Sequence, residues 1–181
     1  DSREAILNSD LSFICVGSPS NGNGSLDRSY IERVSRDIGL ALRAKNRYHV
    51  VVVRSTVLPG TVGHTVIPTL EQTCHKKAGV DFGVAMNPEF MRESDSVYDF
   101  YNPPKTVIGA LNASDADAIG DLFEGVSAPL IKTSIEIAEM VKYVDNAFHA
   151  LKVVFANEIG NICDALGIDS HVVMNIFCMD T

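Results

Sequence analysis

Short apolar runs alternate with helical patterns along most of this sequence, and this alternation limits the fold more than any other feature. Runs typical of buried strands span 11–16, 50–53 and 82–86, and shorter candidates follow at 106–108 and 129–131. A regular succession of strand and helix is typical of a parallel sheet with crossover helices. The sequence therefore predicts an α/β fold built around such a sheet.

The turn-rich segment 18–25 joins the first predicted strand to the first predicted helix. We interpret it as a plain loop, because it offers only one pair of glycines and Asp27 would repel a pyrophosphate at the last position of a G-x-G-x-x-G motif. The helix that follows begins near Asp27, and either Asp27 or Ser25 can cap it.

From Thr133 onward, the pattern predicts a single helix that runs past thirty residues. Thr133 and Glu136 have capping-box spacing, Gly167 is a natural stop, and Asp169 can cap a short terminal helix. A helix this long rarely belongs to one small domain, so we expect it to cross between domains or subunits. One apolar face of this helix is expected to be buried, and it comprises Met140, Val144, Phe148, Leu151, Phe155, Ile159 and Ile162.

Composition restricts the class of partner. A chain of 181 residues that is 46% hydrophobic can form one sizeable core, or one domain and part of another. The formal net charge of -8 argues against an electrostatic grip on nucleic acid or on an anionic membrane. No apolar run is long enough to span a bilayer and no basic leader is present, so we expect a soluble, intracellular protein that binds small molecules or other proteins.

The cysteines and histidines show no spacing typical of a metal site. The four cysteines lack a CxxC pair, which favours buried free thiols over metal ligands or disulfides, and Cys15 lies within an apolar run where it would serve the core. The five histidines show no HxH or HExxH spacing, so no metal is predicted.

The segment 87–94, NPEFMRES, sets two carboxylates beside an Asn-Pro turn. Glu89 and Glu93 are four residues apart, which is one helical turn, so both acids can face one site. They follow a predicted strand, and open α/β sheets bind ligands at the carboxyl ends of their strands. The alternative is a helix start with Pro88 at an early position, where acids are favoured by the helix dipole alone.

The segment 54–61, RSTVLPGT, begins where the four-valine strand ends. The hydroxyls of Ser55 and Thr56 could hold a water or a cofactor there, while Pro59 and Gly60 shape the turn into the next helix. The alternative is simple N-capping of that helix by Ser55, Thr56 or Thr61, and both interpretations can hold together.

A polar stripe lies along the long helix. At 100° per residue its members fall within about 80° of one another, away from the apolar face. Their ammonium, amide and imidazole groups can bind and polarise oxygen atoms. A solvated helix face is the alternative, although asparagine and histidine interleaved with alanine and valine favour a site. The stripe comprises Glu139, Lys142, Asn146, His149 and Asn157.

Four motifs in one order carry a resemblance to a known family. They are VGSPSNGNGSLD from Val16, VVVRSTVLPGT from Val51, NPEFMRES from Asn87 and EMVKYVDNAFHALKVVFANEIGN from Glu139. This order closely resembles the nucleotide-sugar 6-dehydrogenases, the family of UDP-glucose and GDP-mannose dehydrogenases. STVLPGT and FANEIGN look more like the GDP-mannose branch, and UDP-glucose is the alternative substrate.

The resemblance implies NAD-dependent oxidation of the sugar's C6 alcohol to a carboxylate in two hydride transfers, in the cytoplasm. It implies that residues 1–132 form the second half of a Rossmann-like NAD-binding domain. Residues 133–181 would then form the long connecting helix and the start of an all-helical dimerisation domain. The implied partners are a nucleotide sugar, GDP-mannose in first place, and a second copy of the chain bound through the long helix.

The resemblance also implies roles for residues of the strand-end motifs. Ser18 and Thr56 match hydroxyls that lie against NAD, and Glu89 matches an acid that works with Thr56 on the hydrolytic water. Glu93 matches an acid that contacts the sugar. This sequence departs from the family at Ser18, which is normally threonine, and at Met91, which is normally leucine. Both changes are conservative.

Residues of the polar stripe match the substrate side of the family's site. Lys142 and Asn146 match the pair that stabilises a developing oxyanion, a task suited to a cation and an amide donor in a dry site. His149 and Asn157 match positions that line the nucleotide-sugar site. The helical angles select the same side chains independently of the family.

Several parts of the family's pattern are not found in this sequence. They are the first βαβ unit with its glycine fingerprint, the carboxyl-terminal nucleotide domain, and the catalytic cysteine of a Gly-Gly-Ser-Cys motif, which neither Cys163 nor Cys178 matches. We therefore expect the isolated chain to be inactive. The alternative to a piece of the enzyme is a non-catalytic module that self-associates through the long helix.

Overall fold

A five-stranded sheet forms the centre of the first part of the chain, in a computed structural model that describes residues 2–92 and 94–179. Its spatial order follows the sequence order. The strands are β1 Leu11–Ile14, β2 Val50–Val53, β3 Gly83–Met86, β4 Thr106–Ala110 and β5 Leu130–Thr133. The predicted strands are therefore confirmed, with ends that differ by a few residues.

The sheet is mostly, but not wholly, parallel. β1, β2 and β3 are parallel neighbours, β4 is antiparallel to β3, and β5 is parallel to β4. The expectation of a parallel sheet was therefore wrong at one junction. Among the described residues between β3 and β4, the only helix is the six-residue Ser96–Tyr101, which is too short to cross the sheet, so the chain enters β4 at the edge where it left β3.

Helices separate the strands as the pattern predicted. A π-helical turn, Val62–Val66, runs directly into the helix Ile67–Cys74. Ser29 N–H donates to Asp27 Oδ1 at 2.8 Å, so Asp27 rather than Ser25 holds the start of the first long helix, and 18–25 is a loop as predicted. The helices are α1 Ser2–Asn8, α2 Ser29–Ala44, α3 Ile67–Cys74, α4 Ser96–Tyr101, α5 Ala113–Asp121, α6 Ile135–Leu166 and α7 Ser170–Phe177.

Alternation along β2 distributes its valines between the two faces of the sheet. Val51 and Val53 join the core on one face, which also receives side chains of α2 and α3. Val50 and Val52 join the core on the other face, beneath α5. Since β2 is buried on both sides, it reads as a continuous apolar run rather than as an alternating one.

The chain divides into two compact units, Asp1–Tyr143 and Val144–Thr181. α6 has 32 residues, in line with the predicted length of more than thirty, and Gly167 directly after it has a φ of +68° that suits a helix stop. Its start differs from the prediction, because Thr133 lies in β5 and Ser134 Oγ accepts the Ile137 N–H at 3.4 Å instead. Asp169 caps α7 as predicted, since its carboxylate accepts two backbone N–H groups.

The apolar face of α6 is mostly exposed within this chain, and its burial against another domain or subunit stays a prediction. Among the described residues of the second unit, α6 packs against α7, for example through Phe155 and Phe177, whose ring centroids are 5.6 Å apart. Two helices offer too little apolar surface to cover the whole face. The following side chains are between 44% and 61% exposed: Val144, Phe148, Leu151, Phe155 and Ile162.

The cysteines follow the prediction only in part. All four are free thiols, and Cys74 and Cys163 are buried. Cys15 and Cys178 are exposed. Cys15 follows the last residue of β1 and lies at the edge of the sheet, not in its core. Among residues 2–92 and 94–179, no cluster of histidine, cysteine or acidic side chains could hold a metal ion, and no helix is both long and apolar enough to cross a membrane.

Candidate active site

Three segments meet where β1, β2 and β3 end. Because these strands are parallel, their carboxyl ends share one edge of the sheet. The segments form the walls of a cleft of about 440 Å³. The cleft is lined by Cys15, Val16, Gly17, Ser18, Arg54, Ser55, Thr56, Glu89 and Met91. The structure therefore brings the predicted residues Ser18, Thr56 and Glu89 together.

Hydrogen bonds fix the loops after β1 and β2 against each other. Ser18 Oγ donates to the carbonyl oxygen of Thr56 at 2.8 Å. Ser55 Oγ donates to the carbonyl oxygen of Val16 at 2.7 Å and is buried, so the Ser55 hydroxyl holds the two loops together rather than facing a ligand. A narrow cavity of about 10 Å³ adjoins the cleft and is also lined by Gly17, Ser18 and Thr56.

Glu139 is a fully buried carboxylate that holds the start of the π-helical turn. Its Oε2 accepts the Gly60 N–H at 2.6 Å and its Oε1 accepts the Val62 N–H at 2.8 Å. The predicted capping by Thr61 was wrong, because the Thr61 hydroxyl donates to Leu58 instead. Burial raises the pKa of Glu139, while the two N–H bonds act in the opposite direction. Glu139 is therefore a helix-capping residue and not part of a solvated stripe.

Glu89 and Lys142 form an ion pair beside the cleft. Lys142 Nζ lies 2.9 Å from Glu89 Oε1, and Lys142 is only 6% exposed. The other carboxylate oxygen of Glu89 accepts the Met91 N–H at 2.7 Å. Burial raises the pKa of Glu89, but the hydrogen bonds from Lys142 and Met91 and the charge of Arg54 outweigh burial and lower the pKa overall. Glu89 is thus held ionised next to a buried cation.

The backbone around Glu89 is irregular and not helical. Residues 87–92 have no helical assignment and α4 begins only at Ser96, so the alternative of a helix starting at Pro88 was wrong. The prediction that Glu89 and Glu93 face one site depends on Glu93, which lies outside the described residues.

The second part of the polar stripe belongs to the second unit. Asn146, His149 and Asn157 are exposed there, on the part of α6 that follows Tyr143. Their roles, like those of the cleft residues, stay predictions.

Sequence reasoning missed Arg54, which lines the cleft beside Glu89. Its Nη1 donates to Asn87 Oδ1 at 2.5 Å. The signal was present in the sequence, since Arg54 is a charged residue that directly follows four valines at a sheet edge where ligands bind.

Comparison with known proteins identifies the family of this chain. Residues 1–127 match the NAD binding domain of the UDP-glucose/GDP-mannose dehydrogenase family, and residues 136–181 match that family's central domain. The chain belongs to the UDP-glucose/GDP-mannose dehydrogenase family. The resemblance predicted from the four motifs is therefore confirmed.

Individual members of the UDP-glucose/GDP-mannose dehydrogenase family are similar over nearly the whole chain. The GDP-mannose 6-dehydrogenase of Pseudomonas aeruginosa is 54% identical over 99% of this chain and 41% of its own length. A ternary complex of GDP-mannose dehydrogenase from that species matches with a TM-score of 0.97 at 54% identity, over the same shares. A UDP-glucose dehydrogenase from the archaeon Pyrobaculum islandicum matches with a TM-score of 0.94 at 40% identity, covering 99% of this chain and 41% of that one. The predicted fold class is confirmed, and the chain spans about two fifths of these relatives.

The predicted cofactor is confirmed at the level of the family, whose first domain binds NAD. The cleft fits such a group in two respects. Open space lies in front of Gly17, so a ligand can approach the backbone closely there. The only carboxylate lining the cleft among the described residues, Glu89, is paired with Lys142, which limits its repulsion of an anionic ligand.

Proposed function

We propose that this chain is part of a nucleotide-sugar 6-dehydrogenase that oxidises GDP-mannose to GDP-mannuronate with NAD. The observation that carries the proposal is the Glu89–Lys142 pair, held beside Thr56 at the carboxyl edge of the sheet. Bound NAD would supply the hydride acceptor. The overall reaction consumes the alcohol, one water and two NAD⁺, and yields the carboxylate, two NADH and three protons.

Glu89 is suited to accept a proton from the reacting water. Its low pKa keeps it ionised near neutral pH, and its carboxylate lines the same cleft as Thr56. We assign Thr56 to holding that water with Glu89, and Ser18 and Thr56 to contact with the cofactor.

Lys142 is suited to stabilise negative charge on the substrate oxygen. A buried ammonium in a site of low polarity interacts strongly with a developing oxyanion, and an amide can add a hydrogen bond. We assign Asn146 to that second donor. Glu93, His149 and Asn157 are assigned to contacts with the nucleotide sugar.

Sequence identity favours GDP-mannose over UDP-glucose. The chain is 54% identical to the Pseudomonas aeruginosa GDP-mannose 6-dehydrogenase and 40% identical to the Bacillus subtilis UDP-glucose 6-dehydrogenase, over comparable lengths. A predicted cytoplasmic location goes with such a substrate and stays a prediction.

A chimera tests the proposed function. The 181 residues replace the matching segment of the Pseudomonas aeruginosa enzyme, and NADH absorbance is followed with GDP-mannose or UDP-glucose. We expect two NADH per GDP-mannose, and on the order of 10²- to 10⁴-fold slower turnover for Glu89→Gln. A folded chimera that oxidises only UDP-glucose, or neither sugar, would refute the proposal. The isolated chain is assayed beside it, and turnover by that chain would refute our expectation that it is inactive alone.

We further propose that the chain forms a homodimer through α6. Support comes from the exposed apolar residues Val144, Phe148 and Leu151, because exposing such an apolar surface to water is unfavourable. Sedimentation velocity tests this proposal. The wild-type chain should sediment as a dimer and Leu151→Glu as a monomer, whereas a wild-type monomer at high micromolar concentration would count against a dimer and against a self-associating module alike.

A further inference from the structure

Arg54 belongs to a hydrogen-bonded bracket that joins the ends of neighbouring strands. Its backbone N–H donates to the carbonyl oxygen of Ile14 at 2.9 Å, and its guanidinium donates to Asn87 Oδ1 at 2.5 Å. Asn87 Nδ2 donates in turn to the carbonyl oxygen of Val107 at 2.8 Å, and the Asn87 N–H donates to that of Val53 at 2.9 Å. The bracket therefore links β1, β2, β3 and β4.

The bracket lies two residues from the proposed base. Asn87 is 1% exposed, so its position is set by these partners and not by solvent. Pro88 follows directly and restricts the backbone both at itself and at Asn87. Asn87 and Glu89 are therefore joined by a short segment of backbone with restricted freedom.

The guanidinium also has a fixed orientation. It lies over the ring of Phe123, with Cζ 5.9 Å from the centroid, and it lines the same cleft as Glu89. Its positive charge is one of the causes that lower the pKa of Glu89, after Lys142 and the Met91 N–H. Other ionisable groups line the cavities around Glu89, and they are Cys15, Asp99 and Lys105.

We propose that Arg54 is a positioning residue for Glu89. Its guanidinium fixes Asn87 and thereby the place where Glu89 presents its carboxylate, and its charge acts with Lys142 to keep that carboxylate ionised. The inference rests on the proposed function insofar as Glu89 is the base, but its structural half is measurable without turnover.

Titration of Glu89 by NMR in the 181-residue chain, labelled with ¹³C-glutamate, provides the first test. Glu89→Gln identifies the signal. We expect Arg54→Met to raise the titration midpoint of Glu89 and Arg54→Lys to leave it near the wild-type value. The matched control is Arg47→Met, which removes an exposed arginine paired with Asp10 and should leave the midpoint unchanged. A folded Arg54→Met chain with an unchanged midpoint would overturn the electrostatic role.

Arg54→Lys provides the second test, and it decides the positional role even if Arg54→Met does not fold. Lysine keeps the charge but lacks the planar fork of arginine, so it cannot reproduce the bond to Asn87 in the same geometry. We expect the side-chain amide signals of Asn87 to move in ¹⁵N spectra. Unmoved signals would overturn the bracket.

Turnover in the chimera links the bracket to the chemistry. Arg54→Lys should lower kcat on the order of 100-fold with little change in the KM for GDP-mannose, because a misplaced base affects the reaction more than binding. An unchanged kcat would overturn the positioning role. Absence of activity in the chimera with Arg54 intact would count against the proposed function instead, and the Glu89 titration and the Asn87 amide spectra would still decide the role of Arg54.

Discussion

The two parts of α6 have different surroundings. In the part that ends at Tyr143, Ile135, Ala138, Glu139 and Lys142 are buried, although Met140, the member of the predicted apolar face in this part, is 50% exposed. In the part that begins at Val144, the large apolar residues of the predicted face are mostly exposed. The periodicity of a helix thus predicts which side chains share a face, but burial depends on what packs against that face. The first part also buries two charges, which the pattern had placed on a polar stripe.

The largest expected difference between the two parts of α6 is in the effect on kcat of replacing Lys142 or Lys152. Lys142→Met in the chimera should lower kcat on the order of 10²- to 10³-fold, because it removes a buried cation beside Glu89. Lys152→Met is the matched change in the second part, where the exposed ammonium lies 5.0 Å from the ring centroid of Phe148. It should leave kcat nearly unchanged. Steady-state kinetics compare the two, and equal losses would remove the functional contrast.

Replacing Glu139 should lower the free energy of unfolding much more than replacing Glu158. Glu139→Ala leaves the Gly60 and Val62 N–H groups without their acceptor, so it should lower the free energy of unfolding by about 2 to 4 kcal/mol. Glu158→Ala, on the exposed surface of the second part, should change it by less than about 0.5 kcal/mol. Urea titrations of both variants measure the difference, and a Glu139→Ala chain as stable as wild type would contradict the capping role.

Glycines report how closely each part of α6 is packed. A Cβ at Gly109 in β4 would lie 2.5 Å from the Ser134 carbonyl oxygen and 2.7 Å from Ile135 Cα, so Gly109→Ala should cost about 1 to 3 kcal/mol. A Cβ at Gly160 in the second part meets open space, so Gly160→Ala should stabilise the chain by up to about 1 kcal/mol. Thermal melts measure the Tm of both variants, and a change of Tm in the same direction for both would contradict the expected difference in packing.

The smallest expected effect is a dependence on pH. The pKa of Glu139 is raised in the folded chain, so its protonated form is favoured by folding. The corresponding stability is present below the ordinary glutamate pKa and is lost as the pH rises through the folded value. Relative to Glu139→Gln, the wild-type chain should therefore become less stable as the pH increases above the pKa of an ordinary glutamate. Urea titrations from pH 4 to 8 measure the free energy of unfolding of both chains. If the stability of wild type relative to Glu139→Gln increased with pH, the prediction would be contradicted.

The sequence predicted the strands well because each buried strand is a short apolar run between turn residues. It failed at the β3–β4 junction, since direction depends on whether residues 87–105 cross the sheet, and composition does not encode that. It failed at Thr133 because neighbouring Thr133 and Ser134 are both good caps, and the end of β5 decides between them.

The candidate site was predicted in part for similar reasons. Thr56 and Glu89 follow buried strands, so the rule about carboxyl ends finds them. Glu139 looked like a stripe residue, because a buried carboxylate can be recognised only when its backbone partners at Gly60 and Val62 are known. Arg54 was missed because its importance lies in a bond to Asn87, which is distant in sequence and adjacent only in the folded sheet.

The reversal at β4 has a consequence for how such a site can diversify. Since the chain leaves β3 and enters β4 at the same edge of the sheet, residues 94–105 form a wall that lies outside the strands and outside the Asn87 bracket. Asp99, Phe100, Pro103 and Lys105 of this wall line a cavity together with Glu89. We expect an exchange of residues 94–105 between relatives to alter the surface beside the Glu89 carboxylate. Since this segment lies outside the five strands, the exchange need not change their pairing.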